Sequence, residues 1–70
     1  MLKFRDLYKQ MNNIDVYILW NVSDDTELTR FINHINMLEK ARPYFNLFCD
    51  NVDISIDVDK NIIATFYLHD

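Results

Sequence analysis

The sequence predicts a small single α+β domain, two helices packed on an antiparallel β-sheet in the order α-β-α-β-β-β. Three observations carry this expectation. Residues 52–68 alternate apolar and polar side chains, turn, and alternate again, as a β-hairpin with one apolar face does. Residues 14–20 are a run of β-branched and aromatic side chains. Residues 2–12 and 24–41 carry apolar residues at helical spacing.

In 2–12, Phe4, Leu7, Tyr8 and Met11 fall on one helical face, with Lys3, Arg5, Lys9 and Gln10 outside and Asn12-Asn13 as the stop. At three turns this helix is short for a membrane-surface anchor, so its expected role is to cover the hairpin. In 14–20, Val16, Ile18 and Trp20 share a face with Ile14, and Tyr17 and Leu19 take the other, leaving Asp15 as the polar exception. A strand apolar on both faces is central, or its second face meets another element or another chain. The 24–41 helix is read from Leu28, Phe31, Ile32, Ile35 and Leu38, with His34 at the margin, Asp24 and Glu27 at capping-box spacing, and Pro43 as the terminator. Residues 44–49 read as a strand alternating Phe45, Leu47 and Cys49 with Tyr44, Asn46 and Phe48, joined to the hairpin by a turn at Asp50-Asn51. The competing reading is a short helix begun by Pro43; the strand agrees better with its neighbour's register.

Within the hairpin, a three-residue loop Asp59-Lys60-Asn61 keeps the apolar set together. It pairs Val58 with Ile62, Ile56 with Ala64, Ile54 with Phe66 and Val52 with Leu68, and sets Asn61 in the left-handed region. The opposite face then shows Asp53, Ser55 and Asp57 beside Tyr67.

Composition bounds the function. Seventy residues, half of them hydrophobic, with no glycine and one proline, make one compact domain over residues 1–70 rather than a disordered chain. A single cysteine, Cys49, excludes an internal disulfide, and the charged start of the chain is unlike a secretory signal, so the expected compartment is the cytoplasm. Net charge is −4 and unevenly spread: Lys3, Arg5 and Lys9 against Asp6 leave the first eleven residues basic, while Asp50, Asp53, Asp57 and Asp59 stand together without a cation. That balance argues against direct nucleic-acid binding.

No constellation carries chemistry. Cys49 with His34 or His69 lacks an orienting third group. One Cys and two scattered His do not make a zinc site. Asp53, Asp57 and Asp59 lack the glycine and terminal glutamate of a calcium loop, and a chain without glycine has no glycine-rich phosphate loop. Catalytic residues, metal ligands and cofactors are therefore expected to be absent.

The acidic ribbon remains. Asp50, Asp53, Asp57 and Asp59, with Tyr67, are the candidate partner-binding residues. Alternate carboxylates on a strand stand about 6.7 Å apart, against a charge per about 1.7 Å in duplex DNA, so as a nucleic-acid mimic the ribbon is thin. It steers association while aromatic neighbours supply affinity. The expected function is a non-enzymatic interaction module that docks an acidic β-face onto a basic surface of another protein, after the manner of small inhibitors from viruses and mobile elements. The alternative is a self-associating structural subunit, a homodimer, motivated by the doubly apolar 14–20 strand.

Overall fold

A computed structural model describes residues 2–32 and 37–70. Its elements in chain order are α1 (Phe4–Tyr8), β1 (Val16–Asn21), β2 (Thr26–Ile32), α2 (Met37–Ala41), a 3-10 turn (Arg42–Tyr44), β3 (Phe48–Ile56) and β4 (Ile62–His69). The four strands form one mixed sheet in the order β2-β1-β4-β3. β1 runs antiparallel to β2 and parallel to β4, and β3 runs antiparallel to β4. Two helices on an antiparallel sheet is thus not the architecture: the helices are five residues each, the sheet is mixed, and the order is α-β-β-α-β-β.

The largest correction is residues 24–32. Instead of beginning a helix, Asn21 and the residues after it turn back on β1. Ser23 donates its N–H to Asn21 Oδ1 (3.0 Å), Asn21 Nδ2 donates to Asp24 Oδ2 (3.2 Å), and Asp25 takes φ 56°. β2 follows with Tyr17 opposite Phe31 and Leu19 opposite Thr29, but Trp20 opposite Glu27, so Leu28 is the extra residue of a β-bulge. The bulge explains the false helical signal. In a regular strand, residues three apart point to opposite faces; one inserted residue lets Leu28 and Phe31 both pack on the core. Ile32 then lies outside, 57% exposed. His34 and Ile35 lie outside the described residues, as does the side chain of Leu38.

The second correction is 44–51. Pro43 sits in the 3-10 turn, and β3 begins only at Phe48 and continues through Asp50-Asn51, with Asp50 as a bulge residue between Cys49 (opposite Leu68) and Asn51 (opposite Tyr67). No turn separates two strands there. The third is the hairpin register. Ile56 pairs with Ile62, Ile54 with Ala64 and Val52 with Phe66, two residues from expectation. A two-residue shift keeps every side chain on its face. The loop is still three residues closed by a left-handed one, but it is Val58-Asp59-Lys60, with φ 68° at Lys60. Asp57 moves it: as first residue of the turn it accepts the Lys60 N–H on its carbonyl (3.0 Å) and the Asp59 N–H on Oδ1 (2.9 Å). Val58, expected on a paired strand, is 97% exposed.

The core lies on one face of the sheet. Tyr17 and Leu19 of β1, Phe31 of β2, and Ala64, Phe66 and Leu68 of β4 are buried there, with Cys49 of β3. Phe4 of α1 and Ala41 of α2 close over them. An aromatic row crosses the strands: Phe31 stacks on Tyr17 (5.1 Å, 9°), Tyr17 on Phe66 (6.1 Å, 12°), and Phe66 meets the Phe4 ring edge-on (5.0 Å, 77°). The leading N–H groups of α1, which have no partner within the helix, are satisfied by another segment: Phe4 and Arg5 donate to the carbonyls of Leu47 (2.8 Å) and Phe45 (3.3 Å). Asp15, the odd polar residue of its run, ties the parallel pair, accepting the Ile62 N–H on Oδ2 (2.8 Å).

Candidate functional site: the open face of the sheet

Alternation along the strands sends Val16, Ile18 and Trp20 of β1, and Ile63, Thr65 and Tyr67 of β4, to the face opposite the core. These six are half-buried by one another, and among the described residues no helix lies across them. Such a sheet usually meets a second layer on any face this apolar. Here the face is open.

Trp20 and Tyr67 are register partners on adjacent parallel strands, so their side chains rise side by side. Each polar tip is held by a carboxylate. Trp20 Nε1 donates to Asp25 Oδ1 (3.1 Å), and the Tyr67 hydroxyl donates to Asp53 Oδ2 (3.0 Å). Arg30, opposite Ile18 on β2, makes a two-pronged contact with Glu27 (3.0 and 2.5 Å). Ile18, Trp20, Asp25, Glu27, Arg30, Thr65 and Tyr67 together surround an open hollow of about 340 Å³. Glu27 is matched by Arg30, which holds its carboxyl below the ordinary value through their hydrogen bond. Among the described residues, Asp25 and Asp53 accept only from neutral donors. Their negative field reaches Tyr67, whose phenol is pushed up first by the hydrogen bond to Asp53, then by desolvation and the charges of Asp53 and Asp25.

The five residues expected to form an acidic ribbon are divided among three places. Asp53 and Tyr67 come together on the open face. Asp50, at the β3 bulge, sets Oδ1 2.8 Å from His69 Nε2, a close contact without the angle of a hydrogen bond. Asp57 and Asp59 belong to the loop. The Asp57 carboxylate accepts from the backbone of Asn61 and Asp59 (2.9 Å each) and from Asn61 Nδ2 (3.3 Å), and these bonds, that from the Asn61 backbone foremost, hold it below the ordinary value. The strand ends at Ile56, so the alternation that would carry Asp57 and Asp59 along one face ends there too.

Sequence reasoning missed Ile18, Trp20, Asp25, Glu27, Arg30 and Thr65. The available signal was the second apolar face of the 14–20 run. The acidic half of the rim was hidden by assigning Asp24 to Glu27 to a helix cap.

Cys49 is buried, its thiol donating to the Asn51 carbonyl (3.3 Å), and desolvation pushes its pKa up, which suits a structural rather than a nucleophilic thiol. Among the described residues no three metal-ligating side chains converge, and no helix is long and apolar enough to cross a membrane. No family model, curated protein or solved structure matches the chain.

Proposed function

We propose that this protein is a non-catalytic interaction module that docks the open face around Trp20 and Tyr67 onto a basic surface of another protein. The observation behind this reading is the pairing of two aromatic side chains with two carboxylates, Asp25 and Asp53, on an apolar face; among the described residues no cation pairs with either carboxylate and no second layer covers the face. Trp and Tyr supply rigid contact area and suit anchoring positions. A partner's Arg or Lys entering the hollow meets Trp20, Tyr67 and the Asp25 carboxylate, with Asp53 beyond the Tyr67 hydroxyl, and the net charge of −4 steers its approach. A partner whose basic groove otherwise holds nucleic acid would be inhibited by such docking. A cytoplasmic setting fits a fold whose cysteine is reduced and buried.

Trp20 is the lone tryptophan, so its fluorescence reports on the face directly. Titration with an arginine- and leucine-bearing peptide should give a saturable change that weakens with salt. The double variant Asp25→Asn, Asp53→Asn should bind about threefold to tenfold more weakly, two charges of the open face having been removed. Asn tolerates the left-handed conformation of residue 25. Asp59→Asn should bind as the parent does. Equal binding by the double variant, or equal loss in Asp59→Asn, would remove the open face as the docking site.

A further inference from the structure

We infer that a second copy of this chain pairs along the free edge of β3, joining two sheets into one of eight strands about a two-fold axis at Ile54. β3 ends the sheet order. The chain's own start covers that edge only at its beginning, where Phe4 donates to the Leu47 carbonyl (2.8 Å), Cys49 donates to the Leu2 carbonyl (2.9 Å) and Lys3 bridges Phe48. Beyond Asn51 the edge is bare among the described residues. Its polarity follows from the hairpin: Asp57 donates its N–H to Asn61 on the β4 side, so Ser55 and Asp53 also face β4. Val52, Ile54 and Ile56 therefore turn their N–H and C=O groups outward. Their side chains lie on the core face, where Val52 packs against the core cluster and Ile54 and Ile56 run past it, 55% and 69% exposed.

A regular edge of this kind, without proline, lysine or a bulge from 52 to 56, is a template for another strand. Self-complementarity selects the occupant. Antiparallel pairing about Ile54 places Ile54 opposite its copy and Val52 opposite Ile56, all three with outward-facing peptides, and about six hydrogen bonds form. On the other face Asp53 meets Ser55. The neighbouring face-preserving registers set Asp53 against Asp53, or Asp53 against Asp57 twice, and like charges directly opposite are destabilising. The edge length also fits. The copy's β3 ends at Ile56, and its turn begins where Leu2 and Lys3 close the edge. Because the axis is perpendicular to the sheet, both Trp20–Tyr67 faces point the same way.

Sedimentation equilibrium of the full chain tests this. The expected result is a concentration-dependent dimer that Ile54→Lys dissociates, with an unchanged far-ultraviolet circular dichroism spectrum at this half-exposed position. Ser55→Lys, set against Asp53 of the copy twice, should tighten the dimer about fivefold. A monomer at every attainable concentration would overturn the inference. So would a dimer indifferent to Ile54→Lys, or one weakened by Ser55→Lys, which would place Ser55 opposite itself. Asp25→Asn alone should leave the dimer intact, so failure here is separable from failure of the docking reading.

Discussion

Neighbouring residues on β1 offer the sharpest test of which face is core and which is open. Leu19 is fully buried, opposite Thr29 and beside Phe66. Ile18 is half-buried on the open face. A chain of 70 residues has about 4–10 kcal/mol of stability to lose. Leu19→Ala removes a transfer contribution and leaves a cavity, together about 2–5 kcal/mol. Ile18→Ala removes methyl groups already in contact with water and leaves no cavity, so its effect should be about 1 kcal/mol. With an m-value of about 1 kcal/mol per molar urea for a domain this small, Leu19→Ala should lower the midpoint by about 2 M or more and Ile18→Ala by about 1 M. Far-ultraviolet circular dichroism at low, matched protein concentration reads both. Equal shifts would mean that the open face is covered by a second layer, and the docking site built on it would fall.

Three further predictions concern the β3–β4 turn. Asp57→Ala removes the carboxylate that holds two backbone N–H groups and should lower the unfolding midpoint more than Asp59→Ala, which loses no such bond. Because the folded-state pKa of Asp57 lies below its ordinary 3.8, its contribution is complete above that value and fades as pH falls through the lower folded-state value; a urea midpoint series across acid pH should show a limb that is smaller in Asp57→Asn than in the parent, the remainder including that of Glu27. Lys60 holds φ 68° without the tolerance of Asn or Gly, so Lys60→Gly should raise stability by about 1 kcal/mol, and a lower thermal midpoint would refute a left-handed residue there.

The hairpin was legible because its evidence is local. Alternation from Val52 onward and a turn rich in Asp and Asn specify two strands facing one another, and the two-residue error in register left every face unchanged. What sequence spacing missed was the role of Asp57, whose side chain closes the turn one residue early. β2 was illegible for a different reason. Spacing of three between Leu28 and Phe31 satisfies a helix and a bulged strand alike, and Asp24 with Glu27 imitates a helix cap. The deciding contact is long-range pairing with β1, which no local window contains.

The open face shows the same division between local and non-local information. The two apolar faces of β1 were visible in the alternation of Val16, Ile18 and Trp20 with Tyr17 and Leu19. Which face would be core depends on where the helices lie, and Phe4, Ala41 and the aromatic row place them over Tyr17 and Leu19. Tyr67 was legible as a neighbour of Asp53 because the hairpin brings them together. Trp20 was not legible as a neighbour of Tyr67, since β1 and β4 are parallel and 47 residues separate their paired positions. The carboxylates divide likewise. Asp57, the most regular member of the apparent ribbon, is engaged in its own loop, and Asp25, which looked like a helix cap, stands at the rim. A carboxylate becomes available to a partner when its local backbone does not need it, and here the turn chemistry of Asp57 and the indole contact of Asp25 decide between them.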